Sequence, residues 1–180
     1  MIVYHVVTDR PMEKGQVILF DDEHHSGVYR RVMEKKELVD EILANPERFA
    51  GEQEHHTSVA LRELALEEVR RNEFPRYPSR MACLYVSRTL EEARRWAEFF
   101  VSLGRPVYSI VKFRVDGSYF EGDACLCFDG TADQAQNLAL ARRYWNREAT
   151  GEPIVTELLV GGRLEVLEIV QEIRQNIPQP

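Results

Sequence analysis

Apolar positions along this chain follow two periods, and the places where one gives way to the other outline the elements. Ile2-Val3-Tyr4-His5-Val6-Val7 is β-branched and aromatic, which predicts a strand over residues 1–8. Asp9-Arg10-Pro11 and Gly15 punctuate the chain before a second apolar run, Val17-Ile18-Leu19-Phe20, and Asp21 to Gly27 is polar and turn-like. Helical spacing then takes over. Leu38, Val39, Ile42 and Leu43 share a face, and Asn45-Pro46 ends that helix. A second helix is expected over residues 53–71, with Leu61, Leu64, Ala65 and Val69 on its buried side. Two prolines make residues 74–80 a rigid loop.

Period two returns at Met81 to Val86, a predicted strand. Thr89-Leu90-Glu91-Glu92 is a capping box, and the helix it opens buries Leu90, Ala93, Ala97, Phe100 and Val101 before a glycine cap at Gly104. Val107 to Val115 reads as a strand, and Asp116-Gly117 as a hairpin turn into Ser118-Tyr119-Phe120. A helix over about 132–146 follows a second capping pattern at Thr131 to Gln134. Ile154 to Val160, Gly161-Gly162 and Leu164 to Val170 read as strand, two-glycine turn and strand. No regular strand–helix–strand alternation recurs. The order favours one α+β domain over residues 1–180.

Composition narrows the class. The 180 residues suit a single core, and the net charge of −7 argues against a generally basic surface for nucleic acid or anionic membrane. Paired arginines such as Arg70-Arg71 and Arg142-Arg143 read as solvated helix faces. Three cysteines and no leader-like segment point to a reducing cytoplasm without a disulfide framework. Cys125 and Cys127 alternate around Leu126 as on one face of a strand. No apolar run is long enough to span a bilayer.

Four of the five histidines fall in two copies of Glu-His-His followed by Ser or Thr, at residues 23–26 and 54–57. Imidazoles suit zinc, so these pairs make a metal site one reading. Against it, adjacent helical residues point about 100° apart, which suits chelation poorly. The fifth histidine, His5, lies in the first strand. Tyr85 alternates with Leu84 and Val86 and so faces the other side of its strand. Glu157 enters a strongly apolar strand. Taken singly, these three read as a satisfied strand histidine, a packing aromatic and a solvated strand-end carboxylate.

Their order along the chain carries more. "YHVVTD" followed by "GQVI", then "CLYVSRTLEEARRWA", then "TELLVGGRLEVLEI" resembles the ADP-ribosyltransferase-like domains of the His–Tyr–Glu type, which include poly(ADP-ribose) polymerases and RNA 2′-phosphotransferases. More closely still, the chain looks like an uncharacterised bacterial family of that presumed fold. The resemblance implies a split, mostly antiparallel sheet with helices around a central cleft. It implies transfer of ADP-ribose from NAD, with release of nicotinamide, to an acceptor that is protein, nucleic acid or a small molecule. His5 would bond the adenosine ribose, and Tyr85 would stack on the nicotinamide ring. Glu157 would bind the nicotinamide ribose hydroxyl and steady the charge that develops as the glycosidic bond breaks. Ser87 would lie near the nicotinamide face, and Arg80 would bind the pyrophosphate through a bidentate fork. The family usually has glycine directly after its histidine; here Val6 stands there, with a side chain that would crowd close approach. A non-catalytic binding module on the same fold is the alternative this departure favours.

Overall fold

Strand β1 (Ile2–Val7) forms where the β-branched opening predicts it, and β2 (Val17–Phe20) follows the first loop. Three helices come next: α1 (Gly27–Met33), α2 (Lys36–Ala44) and α3 (His55–Glu73). A short strand β3 (Leu84–Val86) leads into α4 (Leu90–Ser102), then β4 (Ser109–Asp116) and β5 (Tyr119–Asp123). Helix α5 (Gln134–Trp145) precedes β6 (Thr156–Val160) and β7 (Gly162–Glu172). The structure, a computed structural model, describes residues 1–149 and 155–173. The expected strand start at Ile154 lies outside these.

The fold is α+β, with every strand pair antiparallel. Four strands form one sheet in the order β1-β4-β7-β2, and three form another in the order β3-β6-β5. The sheets pack through Val3, Val7, Phe113 and Val166 on one side and Leu84, Leu158 and Val160 on the other. Helix α4 covers the outer face of the larger sheet with Ala93 and Ala97 against Val6 and Ile110. Helices α3 and α5 cover the outer face of the smaller sheet, where Leu66, Tyr144 and Trp145 meet Phe120 and Leu159.

Neither expected hairpin forms. Asp116 pairs with Arg163 in one sheet, while Tyr119 pairs with Val160 in the other. Residues 109–123 and 156–172 therefore make one antiparallel ribbon that bends from sheet to sheet. The bend lies where Gly117 meets Gly161 and Gly162. A Cβ on Gly117 would sit 2.2 Å from the Gly161 carbonyl oxygen, and Gly162 has φ +91°. Glycine here permits a strand to change sheets, and sequence alone does not separate that corner from a turn.

Three other expectations shift. The strand at Met81 shortens, because Ser79 turns the chain by accepting from the Met81 and Ala82 amides. Asp133, not Thr131, caps α5, accepting from the Gln136 amide at 3.0 Å. Cys125 and Cys127 sit at a 3-10 turn over Ala124–Leu126 rather than on a strand. The capping box at Thr89 and the glycine cap at Gly104, with φ +71°, form as predicted.

Candidate functional site

The two sheets touch along a seam. Tyr4 of β1 and Ser87, directly after β3, exchange both backbone hydrogen bonds, at 2.9 and 2.7 Å. One residue on, the His5 ring crosses the seam, and its Nδ1 lies 2.8 Å from the Tyr85 carbonyl oxygen. Burial pulls the His5 pKa down to about 4, and the bond to that carbonyl offsets only part of the shift. The ring is therefore neutral at pH 7. A carbonyl only accepts, so Nδ1 carries the proton and Nε2 is an acceptor.

Tyr85 and Glu157 project from one face of the smaller sheet. The register pairs Tyr85 with Leu159, and Glu157 lies two residues before Leu159 on β6. Arg80 joins them. Its guanidinium sits 5.6 Å from the Tyr85 ring centre, and its Nη1 donates to Glu157 Oε1 at 2.5 Å. Nη1 also donates to the Tyr144 hydroxyl at 2.6 Å, and that hydroxyl donates to the same Glu157 oxygen at 2.5 Å. On its other side Arg80 donates from Nε to Glu63 Oε2 at 2.9 Å. Burial opposes the arginine's charge, but Tyr85, Glu63, Tyr144 and Glu157 around it together outweigh burial and hold the guanidinium protonated.

Arg80 is thus not the open phosphate donor that the resemblance implies. It is 6% exposed, and all three of its nitrogens bond Glu63, Glu157 or Tyr144. The reason lies in α3, whose Glu63 is 2% exposed and draws the guanidinium inward. Glu67, one turn on, anchors the rest of the proline loop by accepting from Arg70, Arg71 and Ser79. Val6 does not crowd the seam either. Its side chain packs beneath α4 against Ala93 and Ala97, on the opposite face of β1 from His5.

Several polar groups stay open. Among the described residues no buried side-chain nitrogen or oxygen lacks a partner. Among the described residues nothing hydrogen-bonds His5 Nε2 or Glu157 Oε2, and neither is a buried atom without a partner, so both reach the surface. Tyr85 is 37% exposed as a residue, while burial of its hydroxyl end pushes its pKa up. Alternate residues of a strand turn their backbone groups to the same edge, so the N–H and C=O of Val6 face the seam as those of Tyr4 do. There β3 makes no further backbone bond with β1. Ser87 is buried and clips the sheets together through its backbone.

The two histidine pairs take local roles. His24 bonds Asp21 at 2.7 Å, and His25 stacks on Tyr29 at 3.8 Å. His55 and His56 open α3, where Glu54 caps the helix by accepting from the His56 and Thr57 amides. Those amide bonds lower the Glu54 pKa to about 2. Among the described residues no three His, Cys, Asp or Glu side chains gather as metal ligands would. A cleft of about 160 Å³ opens beside Glu67, Arg71, Tyr77 and Gly161, away from His5, Tyr85 and Glu157.

Sequence reasoning singled out His5, Tyr85, Ser87, Arg80 and Glu157; four of these form one chain of contacts, while Ser87 bonds Tyr4 through its backbone. It missed Glu63 and Tyr144. Glu63 lies between Leu61 and Ala65 on a helix buried around much of its girth, so helical period gave no cue. Tyr144 reads as a core aromatic, and it is also that.

An α+β protein with two antiparallel sheets, a polar seam and a buried arginine between two glutamates is what fold and site define. The chain belongs to the family described as "Protein of unknown function (DUF2441)", whose model matches residues 3–172. No curated protein matches it. No helix among the described residues is long and apolar enough to cross a membrane.

Proposed function

We propose that the seam binds NAD and that the protein is an ADP-ribosyltransferase releasing nicotinamide. The observation that carries this reading is the contact chain His5–Tyr85–Arg80–Glu157, which runs from the His5 ring through the Tyr85 carbonyl and ring to the Arg80 guanidinium and the Glu157 carboxylate. Open acceptors suit ribose hydroxyls, and the Tyr85 ring suits a planar pyridinium. The free N–H and C=O of Val6 match a primary carboxamide, which offers one acceptor and two donors. In the reaction the bond from the ribose anomeric carbon to the nicotinamide nitrogen breaks. Its electron pair leaves with nicotinamide, which becomes neutral, and the acceptor's nucleophile bonds the carbon after losing a proton. The Glu157 carboxylate opposes the oxocarbenium charge, an interaction that strengthens in the transition state.

One observation favours a second reading. With Arg80 occupied by Glu63 and Glu157, the pyrophosphate lacks its expected cation there, as in a binding module that does not turn NAD over. Nicotinamide release from NAD separates the two. The transferase reading expects release by the wild type and a loss of about 100-fold or more in Glu157→Gln. NAD binding without release supports the module; neither binding nor release rejects both.

A further inference from the structure

Glu157 is held in an asymmetric way. Among the described residues both donors to its carboxylate fall on one oxygen, Oε1, each at 2.5 Å, and Oε2 receives none. The donors come from different elements: Arg80 from the proline loop and Tyr144 from α5. Both are deeply buried, with Tyr144 at 0% and Arg80 at 6% exposed. Arg80 is itself fixed from behind by Glu63 of α3, and Glu63 in turn accepts from Arg62 at 3.1 Å. Two helices and a loop therefore determine where one carboxylate oxygen sits.

The other carboxylate on Arg80, Glu63, takes protein donors on both oxygens, as a carboxylate shut away from water must, since an unpaired oxygen is costly. Glu157 has one saturated oxygen and one that reaches the surface. Fixing Oε1 through two converging donors also fixes the direction of the Oε2 lone pairs. Such preorganisation lowers a barrier because the group need not reorient as charge develops. We infer that Arg80 and Tyr144 are positioning residues that lock Glu157 so that Oε2 is the atom it presents to the ribose of its substrate. This rests on the transferase reading of the same seam. It assigns Arg80 a part different from the phosphate contact that the resemblance implies, and it gives Tyr144 and Glu63 parts that no sequence motif announces.

The informative variant is Tyr144→Phe. It keeps the ring that packs on Phe120 and Trp145 and removes only the hydroxyl between Arg80 and Glu157. Arg80→Met leaves two buried carboxylates without their shared cation and serves for stability measurements instead. Nicotinamide release is measured over a range of NAD concentrations for wild type, Tyr144→Phe and Glu157→Gln, alongside thermal unfolding of each. The inference expects kcat of Tyr144→Phe to fall about tenfold or more, KM for NAD to stay within about twofold, and the fold to persist, because an interaction made in the transition state has been weakened. A Tyr144→Phe enzyme with wild-type kcat overturns the positioning role and leaves the transferase reading standing. So does one in which only KM rises. A wild type that releases no nicotinamide overturns the transferase reading, and the positioning role with it.

Discussion

The two faces of the smaller sheet are built from alternate residues of the same strands, and they differ in kind. Leu84, Val86, Leu158 and Val160 face the larger sheet and share one apolar cluster with Val3, Val7 and Phe113. Tyr85, Glu157 and Leu159 face the helices, where a buried arginine lies between two glutamates and a tyrosine hydroxyl. A core needs no ions to hold it together, and buried ion pairs are a poor route to stability. On the first face the contact between the sheets is made with hydrocarbon. The ions of the second face are therefore where function is to be sought.

Substitutions on the two faces sharpen this contrast. Arg80→Met strands Glu63 and Glu157 in the interior and is expected to cost on the order of 3–5 kcal/mol of unfolding free energy, read from urea titration. Adding Glu157→Gln to it relieves one stranded carboxylate, so the double variant is expected to lose less than the two single losses combined. Leu158→Ala, one residue away on the apolar face, opens a cavity and is expected to cost about 3 kcal/mol, with no coupling to Arg80→Met beyond a few tenths. Strong coupling between Leu158 and Arg80 would break the comparison.

His5 stands at the seam where the faces meet, and its titration offers a third probe. Its pKa falls from the ordinary 6.5 to about 4 on folding, so between those values the unfolded chain binds more protons than the folded one. Stability is therefore lost as pH drops from about 6.5 toward 4, by roughly 2–3 kcal/mol from this group. His5→Gln is expected to flatten that part of the pH–stability curve; an unchanged slope would place the ring in a solvated setting. The smallest effect lies far from either face. Thr89→Ala removes the hydroxyl that accepts from the Glu92 amide and is expected to cost about 1 kcal/mol, seen as a shift of a few degrees in Tm.

Local signals in the sequence were legible where chemistry and conformation coincide. Thr89 with Glu92 could cap only a helix start, and the alternation through Leu84-Tyr85-Val86 fixed which side chains share a face. Long-range facts were not legible. Gly117 and Gly161-Gly162 carry the same turn signal whether the strand doubles back or crosses to another sheet, and the choice depends on pairing between segments some forty residues apart. The site divided in the same way. His5, Tyr85 and Glu157 stand out as polar or aromatic residues in apolar strands. Glu63 does not, because a glutamate on a helix reads as solvated until Arg80 is seen beside it. Val6 looked obstructive only because period two was not applied to it: a side chain next to His5 in a strand points the other way.

On the proposed reading the seam binds NAD through Tyr85. Thermal unfolding of the wild type and of Tyr85→Ala, each with and without saturating NAD, tests it most directly. At about 100 times its dissociation constant a ligand of the folded state adds about 2.7 kcal/mol, or roughly 5–10 °C in Tm for a chain of this size. That rise is expected in the wild type, and little or none in Tyr85→Ala. A wild type whose Tm does not move at millimolar NAD, or a Tyr85→Ala protein stabilised as much as the wild type, would contradict it.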